Sequence, residues 1–217
     1  TKVAAMIVEP VLGRGGIILP PTKWLWMLHE VCQASSILLI FDEIFTGLGR
    51  TGLITHASKV PCDLLCLGKA IGGGMPLAAC FGSKKVMSAW PQGRGESSYT
   101  GTFFGHPLSC RVGLATIKHI VADKLVHRSN IFGQEALEEL KRLLSHFQIV
   151  KDIRGKGLMI GIEFYESGCG VTLMEKLRAK GVIAIPSGEK GQCLSITPAL
   201  NIPKEILFQS FQKIAEA

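Results

Sequence analysis

The chain has 217 residues, room for one large domain or one and a half ordinary ones. With 47% hydrophobic and 19% charged residues it is no disordered chain. The net charge of +7 sits on dispersed lysines and arginines, with nothing longer than the pairs Lys84-Lys85 and Lys141-Arg142, so no nucleic-acid partner is expected. No apolar run approaches the roughly 18 residues of a membrane helix, so no membrane partner is expected either.

The opening Thr-Lys-Val-Ala-Ala-Met-Ile-Val has neither an initiator Met nor a signal pattern, and an apolar strand begins at once. It reads as a chain cut in the middle of a domain, and the mean hydropathy of +0.31 fits apolar surface meant for a missing part. Seven scattered cysteines, an odd number without paired short spacings, indicate a reducing compartment and hence a cytoplasmic location. Cys62 and Cys66 lack a second pair or a histidine cluster, so no metal site is expected.

In chain order, residues 3–8 read as a strand and 24–34 as an amphipathic helix. The run 37–41 is continuously apolar and ends in Asp42-Glu43; 64–67 ends in Gly68-Lys69, and 77–81 in Gly82. Short buried strands separated by helices predict an α/β sheet that is parallel in large part. Helical periods follow over 106–122 and 130–147, then strands over 149–153, 158–164 and 182–185 with helices over 171–180 and 204–216. The change of pattern places a boundary near residue 123: residues 1–122 as part of a large domain, and 123–217 as a small C-terminal α/β domain.

Two glycine motifs fail as nucleotide loops. Gly13-Arg14-Gly15-Gly16 has Ile18 at the last required glycine, and Gly68-Lys69 is followed by Ala70 where a phosphate-binding loop needs Ser or Thr. What remains is a carboxylate, Asp42, and an amine, Lys69, each just past an apolar strand, where open α/β sheets place functional groups. Taken singly, Asp42 could be a cap and Lys69 a solvated side chain. As a pair they are the two groups that pyridoxal chemistry needs most. A partly desolvated amine can attack an aldehyde, and a carboxylate can keep a pyridine nitrogen protonated.

The residues around them resemble one family. Val8-Glu9-Pro10-Val11-Leu12-Gly13, Phe41-Asp42-Glu43-Ile44-Phe45-Thr46-Gly47, Leu67-Gly68-Lys69-Ala70 and Gly101-Thr102-Phe103-Phe104-Gly105-His106-Pro107 look like class III aminotransferase signatures, in the family's order. Ile153-Arg154-Gly155-Lys156-Gly157 and Ser195-Ile196-Thr197-Pro198-Ala199-Leu200 extend the likeness almost to the end, over roughly the second half of a typical member.

The resemblance implies a fold-type I architecture, pyridoxal 5'-phosphate as cofactor, and amino transfer between an amine or amino acid and a 2-oxo acid or aldehyde. It implies that Lys69 carries the cofactor as a Schiff base and moves the proton, and that Asp42 pairs with the pyridine nitrogen. Thr102, beside Gly101, would bind the phosphate of the neighbouring subunit in a homodimer with composite sites. Phe45 stands where many members have Gln, so stacking or packing must replace a hydrogen bond near the ring. Ser195 stands where members acting on amino acids often have a carboxylate-gripping Arg. His106, in place of a common Asn, is expected to serve helix entry, and Glu9 either lies at the site mouth or is satisfied at its strand end. An aminomutase, racemase or decarboxylase on the same scaffold, or a chain acting only through protein contacts, are the alternatives.

Overall fold

The computed structural model describes residues 2–21, 23–89 and 100–217. It divides into two compact units, one of Thr1–Pro10, Thr22–Leu48 and Thr55–Ala122, the other of Val11–Pro21, Gly49–Ile54 and Asp123–Ala217. The chain thus changes units at Ala122, but two earlier segments also belong to the second.

The first unit is built on four strands in the order of the chain: β1 (Ala5–Val8), β2 (Leu38–Asp42), β3 (Leu64–Leu67) and β4 (Ala79–Gly82). β1, β2 and β3 are parallel, and β4 runs against β3. Helix α1 (Trp24–Ala34) buries Leu25 and Cys32 against Leu39, Phe41 and Val60. Because strand side chains alternate, Ile40 and Asp42 point to the opposite face from Leu39 and Phe41. Strand β4 starts two residues later than the apolar run suggests. Leu77 is taken instead by the packing of helix α3 (Pro107–Ala122), where a Cβ on Gly113 would lie 2.6 Å from Leu77 Cδ2. A short helix α2 (Lys84–Ser88) follows β4, its first turn capped by Ser83 Oγ accepting the Val86 N–H.

The second unit has a wholly antiparallel sheet, ordered β5 (Val150–Lys156), β6 (Met159–Phe164), β8 (Cys193–Ile196), β7 (Ile185–Ser187). Helices α4 (Leu125–Leu144), α5 (Cys169–Ala179) and α6 (Lys204–Ala215) bury Leu140, Leu177 and Phe211 in one core with Ile160, Ile162 and Leu194 of the sheet. Helix α4 begins five residues before its apolar period becomes visible, because Ser129 and Gly133 occupy buried positions where a large hydrophobe would have marked the face. The Ser129 hydroxyl accepts the Leu158 N–H at 3.1 Å and donates to the Arg50 carbonyl at 3.2 Å. Strand β7 lies three residues past its predicted start: Val182 N–H closes the end of α5 on the Leu177 carbonyl. Strand β8 escapes the sequence pattern because all four of its residues are buried and none alternates with a polar surface position.

The loop Gly13–Gly16 is a turn. Gly16 and Ile17 donate to the Gly13 carbonyl, Leu12 and Ile18 bridge, and Ile17 is fully buried. The Arg154 guanidinium ties it down through the carbonyls of Gly16 and Ile17 at 2.6 and 3.0 Å, while also pairing with Glu163 at 2.6 Å. Among the described residues, no helix is long and apolar enough to cross a membrane, and no group of three or more His, Cys, Asp or Glu could hold a metal.

Candidate active site

Parallel pairing of β2 and β3 puts their carboxyl ends side by side, so Asp42 and the Gly68-Lys69 step emerge on the same edge of the sheet. Asp42 Oδ1 accepts the Ile44 N–H at 3.1 Å, which turns the chain out of the strand; Oδ2 has no hydrogen-bond partner among the described residues. Lys69 opens a 3-10 turn (Lys69–Gly72) at φ 46°, a left-handed conformation that is uncommon for a residue with a Cβ. Such a residue persists only where its surroundings impose it, and it is often found at functional sites.

Those surroundings are specific. A Cβ on Gly47 would lie 2.8 Å from Leu67 Cδ2, and one on Gly68 would lie 3.1 Å from Ile44 Cγ2, so the loops after β2 and β3 are in direct contact. That contact sets the Phe45 ring beside the lysine, with Nζ 4.5 Å from the ring centroid. At that distance the aromatic face attracts the amine and favours its position over the ring. From the other side, helix α3 approaches the turn so closely that a Cβ on Gly113 would stand 2.9 Å from the Ile71 carbonyl oxygen. At Gly73, φ 54°, a Cβ would collide with Thr116 Oγ1 at 2.1 Å. Of the glycines after Lys69, Gly73 therefore serves the seating of α3.

Gly101 and Thr102 lie in the loop that leads into α3, with the Phe104 N–H donating to the Gly101 carbonyl at 3.0 Å and Thr102 exposed. His106 caps that helix: its Nδ1 accepts the Ser109 N–H at 3.4 Å and lies 3.2 Å from Ser109 Oγ. Glu9 directly follows the last residue of β1. In the second unit, Ser195 is buried in β8 with its Oγ 2.6 Å from Ser187 Oγ, a hydroxyl pair satisfied within the unit.

Sequence reasoning passed over Glu43. It is fully buried, accepts the Ala57 N–H at 3.0 Å and the Thr46 hydroxyl at 3.2 Å, and so straps the loop that carries Phe45 to the segment 56–58. The available signal was an acidic residue at a strand end with Thr three positions on. Burial raises the Glu43 pKa, against the lowering effect of its hydrogen bonds from His56, Ala57 and Thr46. A raised folded-state value means the unfolded chain releases the proton first. The contribution of Glu43 is then complete below the ordinary value of 4.5 and is lost as pH rises through the folded value. Thermal unfolding of Glu43→Gln should therefore lose less stability than the unsubstituted protein over the rise from about pH 4 to about pH 7. Parallel curves for the two proteins would show that Glu43 titrates as in the unfolded chain. Glu43→Ala, which orphans the Ala57 N–H, should cost about 2 kcal/mol.

Comparison with known proteins identifies the family. A family model described as aminotransferase class-III matches residues 1–217. The chain belongs to the class III aminotransferase family. Acetylornithine aminotransferase of Methanothermobacter thermautotrophicus is 37% identical over 206 residues, 94% of this chain and 51% of that protein. Putrescine aminotransferase of Pectobacterium atrosepticum is 35% identical over 208 residues, 94% of this chain and 44% of that protein. A Bacillus anthracis aminotransferase structure superposes with a TM-score of 0.91 at 29% identity, covering 98% of this chain and 51% of the other. Ornithine aminotransferase from Plasmodium yoelii does so at 0.89 and 34%, covering 99% and 56%. The chain spans about half the length of these class III relatives, and its architecture is that of part of a fold-type I transferase.

Proposed function

We propose that the protein carrying this chain is a pyridoxal-phosphate-dependent aminotransferase that moves an amino group from an amine or amino acid to a 2-oxo acid or aldehyde. The observation that carries this reading is the juxtaposition of Lys69 and Asp42 at neighbouring strand ends in a class III chain. The residues fit the cofactor chemically. Lys69 offers a primary amine oriented by Phe45, and Asp42 offers one carboxylate oxygen held by backbone and one open to a ring N–H. The cofactor, when bound, supplies an electron sink for the carbon that loses its proton.

The protein groups do the rest. Lys69 Nζ would hold the cofactor and supply the amine that takes up and returns a proton. Asp42 would hold the ring nitrogen in its protonated form. Phe45 packs beside the amine in place of a hydrogen-bonding side chain. Gly101 and Thr102 contribute phosphate contacts, and we assign them to the site of a neighbouring subunit in a homodimer. On this reading residues 1–122 are part of the large cofactor-binding domain and 123–217 the small C-terminal domain, and the protein works in the cytoplasm. The relatives' names, among them putrescine, ornithine and 4-aminobutyrate, support a donor with a primary amine at the end of a short methylene chain. The hydroxyl pair Ser187–Ser195 supports a substrate that needs no guanidinium at that position.

The test is an assay of the full-length protein with pyridoxal phosphate, terminal amines and a 2-oxo acid. Formation of aldehyde and amino acid that stops when the 2-oxo acid is left out is the expected result. Carbon dioxide release or racemisation that proceeds without any oxo acceptor would replace amino transfer with another reaction on this scaffold.

A further inference from the structure

Two cysteines face each other across the last strand pair of the first unit. β3 and β4 are antiparallel with Cys66 directly opposite Cys80. The Cys66 carbonyl accepts the Glu43 N–H from the β2 side. A strand residue directs its N–H and C=O to the same side, so Cys66 turns its backbone away from β4. Cys66 and Cys80 are therefore a non-hydrogen-bonded pair, of the kind whose Cα atoms lie about 4.5 Å apart and whose side chains approach most closely. That separation falls inside the range of roughly 4.4–6.8 Å over which a disulfide can close. No other register among the described strands sets two cysteines opposite each other.

We propose that Cys66 and Cys80 form a reversible dithiol–disulfide site that reacts with small disulfide oxidants such as oxidised glutathione. Within this chain Cys80 is the more exposed of the two and Cys66 half-buried, so Cys80 is assigned the first attack. The Cys80 thiol loses its proton and attacks one sulfur of oxidised glutathione, releasing one glutathione thiolate and leaving a mixed disulfide. Cys66 then loses its proton and attacks Cys80 Sγ, forming the cross-strand bond and releasing the second glutathione. The two protein thiols give up two electrons and two protons, all recovered in two molecules of reduced glutathione. Burial first, then the charge and hydrogen bond of Cys80, then the charge of Asp42 push the Cys66 thiol up, so the closing step should quicken in alkaline buffer.

The site lies in line with the candidate active site. Cys66 pairs in register with Asp42 on its other side and stands three residues before Lys69, so the bond would clamp β4 to the strand that delivers the lysine. The inference rests on strand register and does not depend on the cofactor.

The test uses the full-length protein without cofactor or substrate, equilibrated in oxidised or reduced glutathione, alkylated, digested and mapped by mass spectrometry. Oxidising buffer should yield one cross-linked peptide joining Cys66 to Cys80, lighter by two hydrogens, which disappears in reduced glutathione. Cys66→Ser should leave a glutathione adduct on Cys80, and Cys80→Ser should abolish the cross-link. Independent alkylation of both cysteines in every buffer, or a bond from Cys66 to Cys62, overturns the proposal. If a serine variant misfolds, the peptide map of the unsubstituted protein decides alone. Loss of amino transfer in the functional assay would leave this result untouched, and the converse also holds.

Discussion

Replacing Lys69 with alanine should, on the proposed reading, remove the covalent attachment point of the cofactor and the group that moves the proton. Positioned proton transfer alone contributes on the order of 10²–10⁴-fold to a rate, so turnover should fall by roughly ten-thousandfold or more. The chain should still fold, because the Lys69 side chain is exposed and its amine lies over the Phe45 ring. Relief of the left-handed φ is not expected, since alanine also carries a Cβ and the turn is imposed by Gly68 against Ile44 and by α3. Borohydride reduction of the unsubstituted full-length protein, followed by digestion, should place the phosphopyridoxyl group on the peptide that holds Lys69. Recovery on Lys84 or Lys156 would remove Lys69 from the site.

Asp42→Asn should damage turnover far more than cofactor retention. The substitution keeps an oxygen for the Ile44 N–H, so the turn out of β2 survives. On the proposed reading it removes the negative charge that would hold a proton on the ring nitrogen. Loss of one pre-organised electrostatic contact of this kind costs about 3 kcal/mol, on the order of a hundredfold in rate. Equilibrium dialysis should show pyridoxal phosphate still bound, while single-turnover kinetics show the slowed proton transfer. Turnover close to that of the unsubstituted protein would make Asp42 a turn residue and nothing more.

The two substitutions also divide the site by how each part could be known. Asp42 and Lys69 are legible in the sequence because each ends a continuous apolar run, and a buried strand must stop where the first charged group reaches the sheet edge. Their partners are not. Glu43 stands beside Asp42 in the sequence with only a Thr three positions on to single it out, yet it is the buried strap between the Phe45 loop and residues 56–58. The run 72–74 reads equally as a close approach of backbone to a cofactor or as a flexible turn, whereas Gly73 and Gly113 are close-contact points between α3 and the lysine turn. The facing of Cys66 and Cys80 depends on β4 running antiparallel where its three predecessors are parallel.

By itself, then, the sequence determined which segments become helices and strands wherever one face is consistently apolar, as in α1, β3 and α6, whose bounds match their patterns closely. It also determined the order of the family's motifs, and with them the placement of an amine and a carboxylate after strands. Only the tertiary structure decided that the strands of Asp42 and Lys69 are neighbours, that Phe45 lies beside the amine, and that the segments Val11–Pro21 and Gly49–Ile54 join the second unit. It alone revealed β8, buried on both faces at the centre of its sheet. The physical reason is the same in each case. Periodicity along a chain reports which side of an element avoids water, whereas the identity of what covers that side is set by pairing and packing between residues far apart in sequence.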